Sequence, residues 1–206
     1  MLAGDKLTND SGNEVCLFPL SYMYITTARD PAEHQVLALD FLGWGPNGRV
    51  YNCPAYAPYS GSIVYAGNDH NEIFWSDNPV QFADGSVDYA SILVAHSELD
   101  SPQVGRHYTQ GDLWYHSGNY GNSTGDHLHF EIAKGHVKWN SNGTALSNPS
   151  HVYDCCYVNN TILARPLSYP WRVFEGGVTP PTPTNRFSRS SFPFYLYRRK
   201  RLIDSF

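Results

Sequence analysis

The 206-residue sequence carries little charge, since only 16% of its residues are Asp, Glu, Lys or Arg, against roughly a quarter in average proteins. Helical bundles and coiled coils need more Glu, Lys, Leu and Ala, so the composition argues against both. An apolar run of about 18 residues, the minimum for a transmembrane helix, is also missing, and we expect no membrane span. The net charge of −5 gives no general reason to expect nucleic-acid binding.

Two further signals are missing from the sequence. The N-terminus has no basic stretch followed by an apolar one, so we expect no secretory signal. The four cysteines lack the C-x-x-C spacing of structural zinc sites. Because a chain without a secretory signal is made in a reducing compartment, we expect free, buried thiols, with disulfide pairing as the alternative. The cysteines are Cys16, Cys53, Cys155 and Cys156.

Aromatic residues and turn formers are abundant. Aromatics make up 15% of the chain, with 15 Tyr, and there are 17 Gly and 14 Pro. Short apolar or β-branched runs alternate with turn signals, as is typical of an all-β fold. We therefore predict an antiparallel all-β domain without helices longer than two turns. The predicted strands are 22–27, 36–42, 61–66, 73–76, 90–96, 112–115, 128–133 and 152–158.

Charge divides the chain into two parts. Residues 1–173 hold 8 basic and 17 acidic residues, whereas residues 174–206 hold 6 basic and 2 acidic ones. The boundary coincides with a Gly/Pro/Thr stretch at 176–184 that is unsuited to a sheet or a helix. We predict a globular domain at 1–173, a linker at 174–185 and an irregular, aromatic and basic C-terminal tail at 186–206.

The most informative segment is 121–132, where a glycine-rich loop leads into His127-Leu128-His129. In a strand, residues i and i+2 point to the same face, so both imidazoles lie side by side, about 6–7 Å apart, while Leu128 enters the core. A lone His is more often a packing or surface residue. Two histidines on one face, after a loop whose glycines let the backbone come close, indicate a metal-centred site.

Two other segments carry chemically useful side chains. Asp40 lies inside the apolar run 36–42, where a carboxylate is costly to bury unless it is paired or bound to a metal. The alternative is a strand-end Asp that accepts hydrogen bonds from nearby backbone. His34 precedes this run, and His96 ends the hydrophobic run 90–96. Taken alone, His96 is a strand-end residue.

Together these segments resemble the lysostaphin/LytM-type zinc metallopeptidases, which cut peptide crosslinks in bacterial peptidoglycan. The resemblance spans about residues 20–165 and is most specific at 121–132. Five residues separate His34 from Asp40, where many members have three, and some phage members are similar in having a longer spacer. The resemblance implies an antiparallel sheet core with an open groove over the metal. The matching segments are 34–40, 57–67, 94–96, 104–111 and 121–132.

The resemblance also implies roles for individual residues. His34, Asp40 and His129 match the ligands of one Zn²⁺ per chain, and His96 and His127 match a catalytic pair that does not bind the metal. Three protein ligands leave the fourth zinc position for water, and free imidazoles suit proton transfer and oxyanion stabilisation. We expect the remaining histidines to be structural or on the surface, with His116 as a possible lining of the substrate groove. They are His70, His107, His116, His136 and His151.

The resulting hypothesis is a zinc-dependent endopeptidase acting on the crosslinks of bacterial peptidoglycan. Because the wall lies outside the membrane and we expect no signal, the enzyme reaches it on a virion or through lysis, as a phage tail-associated hydrolase or an endolysin. The tail at 186–206 is either a docking segment for another tail protein or wall teichoic acid, or a solvated C-terminus. Two alternatives are an inactive wall-binding or tail-plug protein and a purely structural zinc site, which the cysteine spacing disfavours.

Overall fold

The computed structural model describes residues 1–28, 37–67 and 70–176. Its regular secondary structure is almost entirely strand, which confirms the predicted antiparallel all-β class. A single short helix, α1 (Val152–Cys155), occurs in the described ranges. The strands are β1 (Tyr22–Ala28), β2 (Leu39–Phe41), β3 (Trp44–Gly45), β4 (Gly48–Arg49), β5 (Pro54–Tyr56), β6 (Gly61–Ala66), β7 (Glu72–Ser76), β8 (Val80–Gln81), β9 (Val87–Asp88), β10 (Ala90–Ala95), β11 (His107–Tyr108), β12 (Leu113–His116), β13 (Leu128–Lys134) and β14 (Ile162–Arg165).

Eight strands form the main sheet, in the order β11-β6-β7-β10-β13-β2-β1-β14. Neighbouring strands are antiparallel except for β1 and β14, which are parallel. Three two-stranded ribbons, β12-β5, β3-β4 and β8-β9, complete the described sheet structure. The middle of the main sheet is therefore β10, β13 and β2, the strands that carry or adjoin four of the five predicted site residues.

The main sheet has one apolar face and one mixed face, as the alternation along β13 shows. Leu128, Phe130 and Ile132 are fully buried in the large hydrophobic core. His129 and Glu131 lie between them in sequence and point to the opposite face. On that second face a smaller cluster of Ile73, Leu93, Ala133 and Leu146 packs beside the polar residues.

The orientation of strand β2 is also set by the alternation of buried and polar side chains. The ring of Phe41 lies in the core between Phe18 and Phe130, with centroids 4.9 and 6.3 Å away, edge to face. Burial of such a side chain contributes about 2–3 kcal/mol. Because Asp40 precedes Phe41 by one residue, packing of the ring turns the carboxylate to the second face.

The predicted strand at 152–158 is wrong in its first half. Residues Val152–Cys155 form α1, whose buried members Val152 and Cys155 are three positions apart and share one side of the turn. The extended chain resumes after Cys156, and Tyr157 forms a parallel bridge with Leu17. A short apolar run does not distinguish a buried strand from a buried helical turn, which is why the pattern misled.

Several predictions concern residues outside the described ranges. His34, most of the predicted linker and the whole predicted tail at 186–206 belong to this group. All four cysteines are described, and they are free and buried as expected. Within the described ranges, no helix has the length and apolar character needed to cross a membrane.

Candidate metal and catalytic site

The pairing of β2 with β13 brings Asp40 and His129 together. The two residues are direct cross-strand partners in the antiparallel register, although they are 89 positions apart in sequence. Both side chains point to the second face of the sheet, where Asp40 Oδ1 lies 3.1 Å from His129 Nδ1. Sheet register thus places a carboxylate oxygen and an imidazole nitrogen side by side.

These two atoms fit a pair of zinc ligands. Zinc binds carboxylate oxygen and imidazole nitrogen at about 2.0–2.2 Å in tetrahedral geometry, which places two such ligand atoms about 3.3 Å apart. The observed 3.1 Å between Asp40 Oδ1 and His129 Nδ1 is close to that value. The third predicted ligand, His34, lies outside the described residues. Among the described ones, no group of three His, Cys, Asp or Glu side chains is placed to hold a metal ion.

His129 is held between two carboxylates. Its Nδ1 faces Asp40, and its Nε2 lies 3.2 Å from Glu131 Oε1. Burial alone disfavours the protonated imidazole, but the hydrogen bonds and charges of Asp40 and Glu131 outweigh it and raise the pKa of His129 to about 9. The two carboxylates therefore favour positive charge at this position. Sequence reasoning missed Glu131 even though it continues the i, i+2 alternation of His127 and His129.

His127 is oriented by its own loop. Its Nδ1 lies 2.7 Å from the carbonyl oxygen of Gly125. Because a carbonyl only accepts hydrogen bonds, Nδ1 carries the proton and Nε2 of the neutral ring is left as an acceptor. That Nε2 lies 3.7 Å from Asp40 Oδ1, so its lone pair is beside the predicted metal ligands.

His96 is oriented in a similar way by the backbone of Tyr120. Its Nδ1 lies 2.8 Å from the carbonyl oxygen of Tyr120, which again leaves Nε2 as the acceptor. Burial lowers the pKa of His96; the Tyr120 hydrogen bond opposes this, and charge on His127 and His129 adds to the lowering. The His96 ring centroid lies 4.6 Å from that of His127 and 6.0 Å from that of His129. Three imidazoles therefore meet at one place on the sheet.

The backbone of His96 is itself unusual. Its φ of 82° lies in the left-handed region, which costs a non-glycine residue about 1–3 kcal/mol and is concentrated at functional sites. His96 comes directly after the last residue of β10, so the chain leaves the sheet there. The Tyr120 N–H donates to the His96 carbonyl oxygen at 3.0 Å and holds this conformation from the facing loop.

Gly118 lets that loop approach His96. A Cβ atom at this position would lie 2.2 Å from the His96 carbonyl oxygen and 2.8 Å from the Glu98 nitrogen. The backbone of Gly118 also pairs in both directions with that of His127, at 2.9 and 3.1 Å. Gly118 thus joins the two predicted catalytic histidines. The sequence marked a glycine-rich loop here without indicating which glycine makes the contact.

Asp126 anchors the other end of the loop. Its buried carboxylate accepts hydrogen bonds from the Asn52 N–H and the Ser117 hydroxyl, each at 2.7 Å. The guanidinium of Arg49 lies 3.8 Å from the same carboxylate and also donates to the Asp126 carbonyl oxygen. These contacts link the loop before His127 to residues 49–53, and nothing in the sequence pattern pointed to them.

A groove of about 600 Å³ runs over this part of the sheet. Its lining includes His96, His127, His129, Asp40 and Arg49 together with the loop residues 122–126. The other five histidines are outside this lining and make local contacts. His70 stacks on Tyr120, His107 pairs with Asp77, His116 pairs with Asp100, His136 stacks on Trp75, and His151 stacks on Tyr153.

Comparison with known proteins finds curated relatives and solved structures that are similar to this chain. No family model matches the chain. One curated relative is morphogenesis protein 1 of Bacillus phage B103, 31% identical over 172 residues, which are 80% of this chain and 46% of the phage protein. The chain therefore spans about half the length of this curated relative.

Two of the similar solved structures are described as peptidases. A zinc-containing peptidase from Vibrio cholerae is 18% identical and has a TM-score of 0.43, with 73% of this chain and 44% of that one covered. The catalytic domain of lysostaphin from Staphylococcus simulans is 20% identical and has a TM-score of 0.39, with 64% and 85% covered. Lysostaphin, whose family the sequence motifs resemble, is one of the solved structures that the comparison finds.

Proposed function

We propose that this chain is a zinc-dependent endopeptidase of the lysostaphin/LytM type that hydrolyses peptide crosslinks of bacterial peptidoglycan. The observation that carries the proposal is the convergence of three imidazoles and one carboxylate at the centre of the groove. Asp40 and His129 stand at the spacing of two zinc ligands. His96 and His127 each direct Nδ1 to a backbone carbonyl, which makes Nε2 the acceptor in the neutral ring.

His34, Asp40 and His129 are the residues that would hold the metal. Two imidazoles and one carboxylate form a ligand set that leaves a coordination position for water or substrate. Bound Zn²⁺ supplies a Lewis acid that polarises the scissile carbonyl and lowers the pKa of water towards neutrality.

The chain's own histidines move the protons. In the neutral form, Nε2 of His127 or His96 accepts a proton from the attacking water. As the new C–O bond forms and the C–N bond breaks, that proton passes to the leaving amine, so the imidazole returns to its starting form. The lowered pKa of His96 keeps this ring neutral and ready to accept at neutral pH. A second imidazole that has taken a proton from solvent before the reaction donates a hydrogen bond from Nε2 to the developing oxyanion and keeps that proton throughout.

The similarity to a phage morphogenesis protein supports a phage origin. We propose that the enzyme acts on the wall as a tail-associated hydrolase, with residues 1–173 as the peptidase domain. In this proposal the segment 174–185 is a linker, and the tail at 186–206 is the docking segment for other tail proteins. An endolysin released at lysis is the competing assignment, and a tail-plug protein without activity is the competing function.

The first test is the zinc content of the purified protein together with clearing of cell-wall suspensions, with and without a chelator. We expect about one zinc per chain and chelator-sensitive clearing. Zinc without clearing on walls of different crosslink chemistry would favour the inactive plug. Protein without zinc would overturn the metal site.

Two substitutions separate the roles of the paired histidines. His129→Ala removes a proposed ligand, so both zinc and activity should be lost. His127→Ala removes a proton acceptor but no proposed ligand, so zinc should stay and activity should be lost. Loss of zinc only in the His127 variant would reverse the two roles.

A further inference from the structure

Glu131 is a fully buried carboxylate directly behind His129. Its side chain has no solvent exposure, and it lies on the same face of β13 as His129. Oε1 is 3.2 Å from His129 Nε2, and Oε2 accepts a hydrogen bond from the Leu146 N–H at 2.8 Å. A charged group in such a place is costly to bury unless its partners are fixed. The two oxygens are therefore each committed to one N–H donor.

This arrangement determines which nitrogen of His129 is available to a metal. A carboxylate accepts hydrogen bonds and does not donate them, so Glu131 requires the proton of a singly protonated His129 to sit on Nε2. Nδ1 is then the unprotonated nitrogen, and it faces Asp40 Oδ1 at 3.1 Å. Metal-binding histidines commonly donate their second N–H to a carboxylate, which fixes ring orientation and increases ligand basicity.

We propose that Glu131 is a positioning residue that holds His129 in the Nε2–H form, with Nδ1 directed to the metal. The proposal rests on the zinc site of the proposed function and adds a residue to it. Glu131 itself is outside the groove lining, so it acts through His129 and makes no contact with substrate.

A structural role alone is the competing explanation, because Glu131 also ties the Leu146 backbone to the sheet. The Glu131→Gln variant separates the two. Its amide has one acceptor oxygen for two N–H donors, so one of the two contacts is lost. Zinc affinity reports the His129 contact, and thermal stability reports the packing of the segment around Leu146.

Glu72 provides a matched control. It is a buried glutamate on the neighbouring part of the sheet, but its register partner Val94 belongs to the large core, so its side chain lies on the opposite face from His129. Its carboxyl accepts a hydrogen bond from the Trp114 indole N–H. Glu72→Gln thus makes the same chemical change without touching His129.

The experiment is zinc titration of metal-free wild type, Glu131→Gln and Glu72→Gln, in competition with a chromophoric chelator, with thermal unfolding of the same samples. We expect the dissociation constant for zinc to rise about 10- to 100-fold in Glu131→Gln and to stay within twofold of wild type in Glu72→Gln. An unchanged dissociation constant in a Glu131→Gln protein of unchanged thermal stability overturns the proposal while the zinc site stands. An unchanged constant with lowered stability means that the amide oxygen stayed on His129, and the NMR measurement below then decides. Wild type that binds no zinc overturns both the proposal and the zinc site.

A second measurement on the wild-type protein covers the case in which Glu131→Gln does not fold. Nitrogen-15 NMR of the imidazole side chains with zinc bound reports which nitrogen of His129 carries the proton. We expect a proton on Nε2 and the metal-bound shift on Nδ1. The reverse assignment would overturn the role of Glu131.

Discussion

Glu72 should make the protein less stable as the pH rises. Burial raises the pKa of this carboxyl to about 8, from an ordinary value of 4.5; the Trp114 hydrogen bond and Arg106 oppose the rise, and Asp100 adds to it. The folded protein therefore keeps Glu72 protonated at pH 7, whereas the unfolded chain releases the proton. A group with a raised pKa in the folded state contributes full stability below its unfolded pKa and loses it as the pH rises.

The size of the effect follows from the two pKa values. Each pH unit between about 4.5 and 8 costs about 1.4 kcal/mol of unfolding free energy, so the loss at pH 7 is about 3 kcal/mol relative to a side chain that stays neutral. Glu72→Gln supplies such a side chain and keeps an oxygen for the Trp114 N–H. We therefore compare the melting temperature of Glu72→Gln with that of wild type at each pH. The difference should increase in favour of the variant by roughly 6–12 °C from pH 4.5 to pH 7.

The assay is thermal or urea unfolding of both proteins from pH 4.5 to 8.5. Other groups titrate over this range, but the difference between the two curves isolates position 72. Parallel curves would refute the reasoning, because they would mean that Glu72 ionises in the folded protein as it does in the unfolded chain. The size of the constant offset between such parallel curves would report only how well the amide packs.

Three other predictions concern the site loop and the thiols. Gly118→Ala places a methyl group against the His96 backbone, so we expect about a 100-fold loss of kcat in wall-clearing assays; an unchanged kcat would contradict the role given to this close approach. Asp126→Ala leaves the Arg49 guanidinium without its carboxylate and should lower unfolding free energy by about 1–3 kcal/mol, measured by urea unfolding against Asp126→Asn. A thiol reagent should modify no cysteine in the folded protein and all of them in denaturant, because every cysteine is buried; rapid labelling of the native protein would contradict this. The thiols are Cys16, Cys53, Cys155 and Cys156.

The parts of the fold that follow local periodicity were predictable from sequence. The run at 61–66 matches β6, and the i, i+2 spacing of His127 and His129 placed both imidazoles on one face. Strand β14 was missed because its four residues are all exposed and show no alternation. Helix α1 was misread because a four-residue apolar segment has no diagnostic period.

The site depended on information that is not local. The sequence of segment 36–42 does not determine that Asp40 pairs with His129, because strand register is set by packing across the sheet. The same holds for Gly118, whose closeness to His96 comes from two chain segments that meet only in the folded protein. Glu131 is the exception, since the alternation that identified His127 and His129 extends to it by two more residues.

The core and the site are fixed by the same strand pairing. In β13 and the residue before it, the buried Leu128 and Phe130 alternate with His127, His129 and Glu131. A slip of one residue would put the imidazoles into the core and the apolar side chains into the groove. Such a slip would expose the apolar side chains and lose the free energy of their burial. Packing of the apolar face therefore keeps the polar face in register with Asp40 on β2. The hydrophobic packing beneath the candidate metal centre thus determines which side chains face it. Glu131, Gly118 and the Tyr120 carbonyl then set the orientation of the imidazole rings.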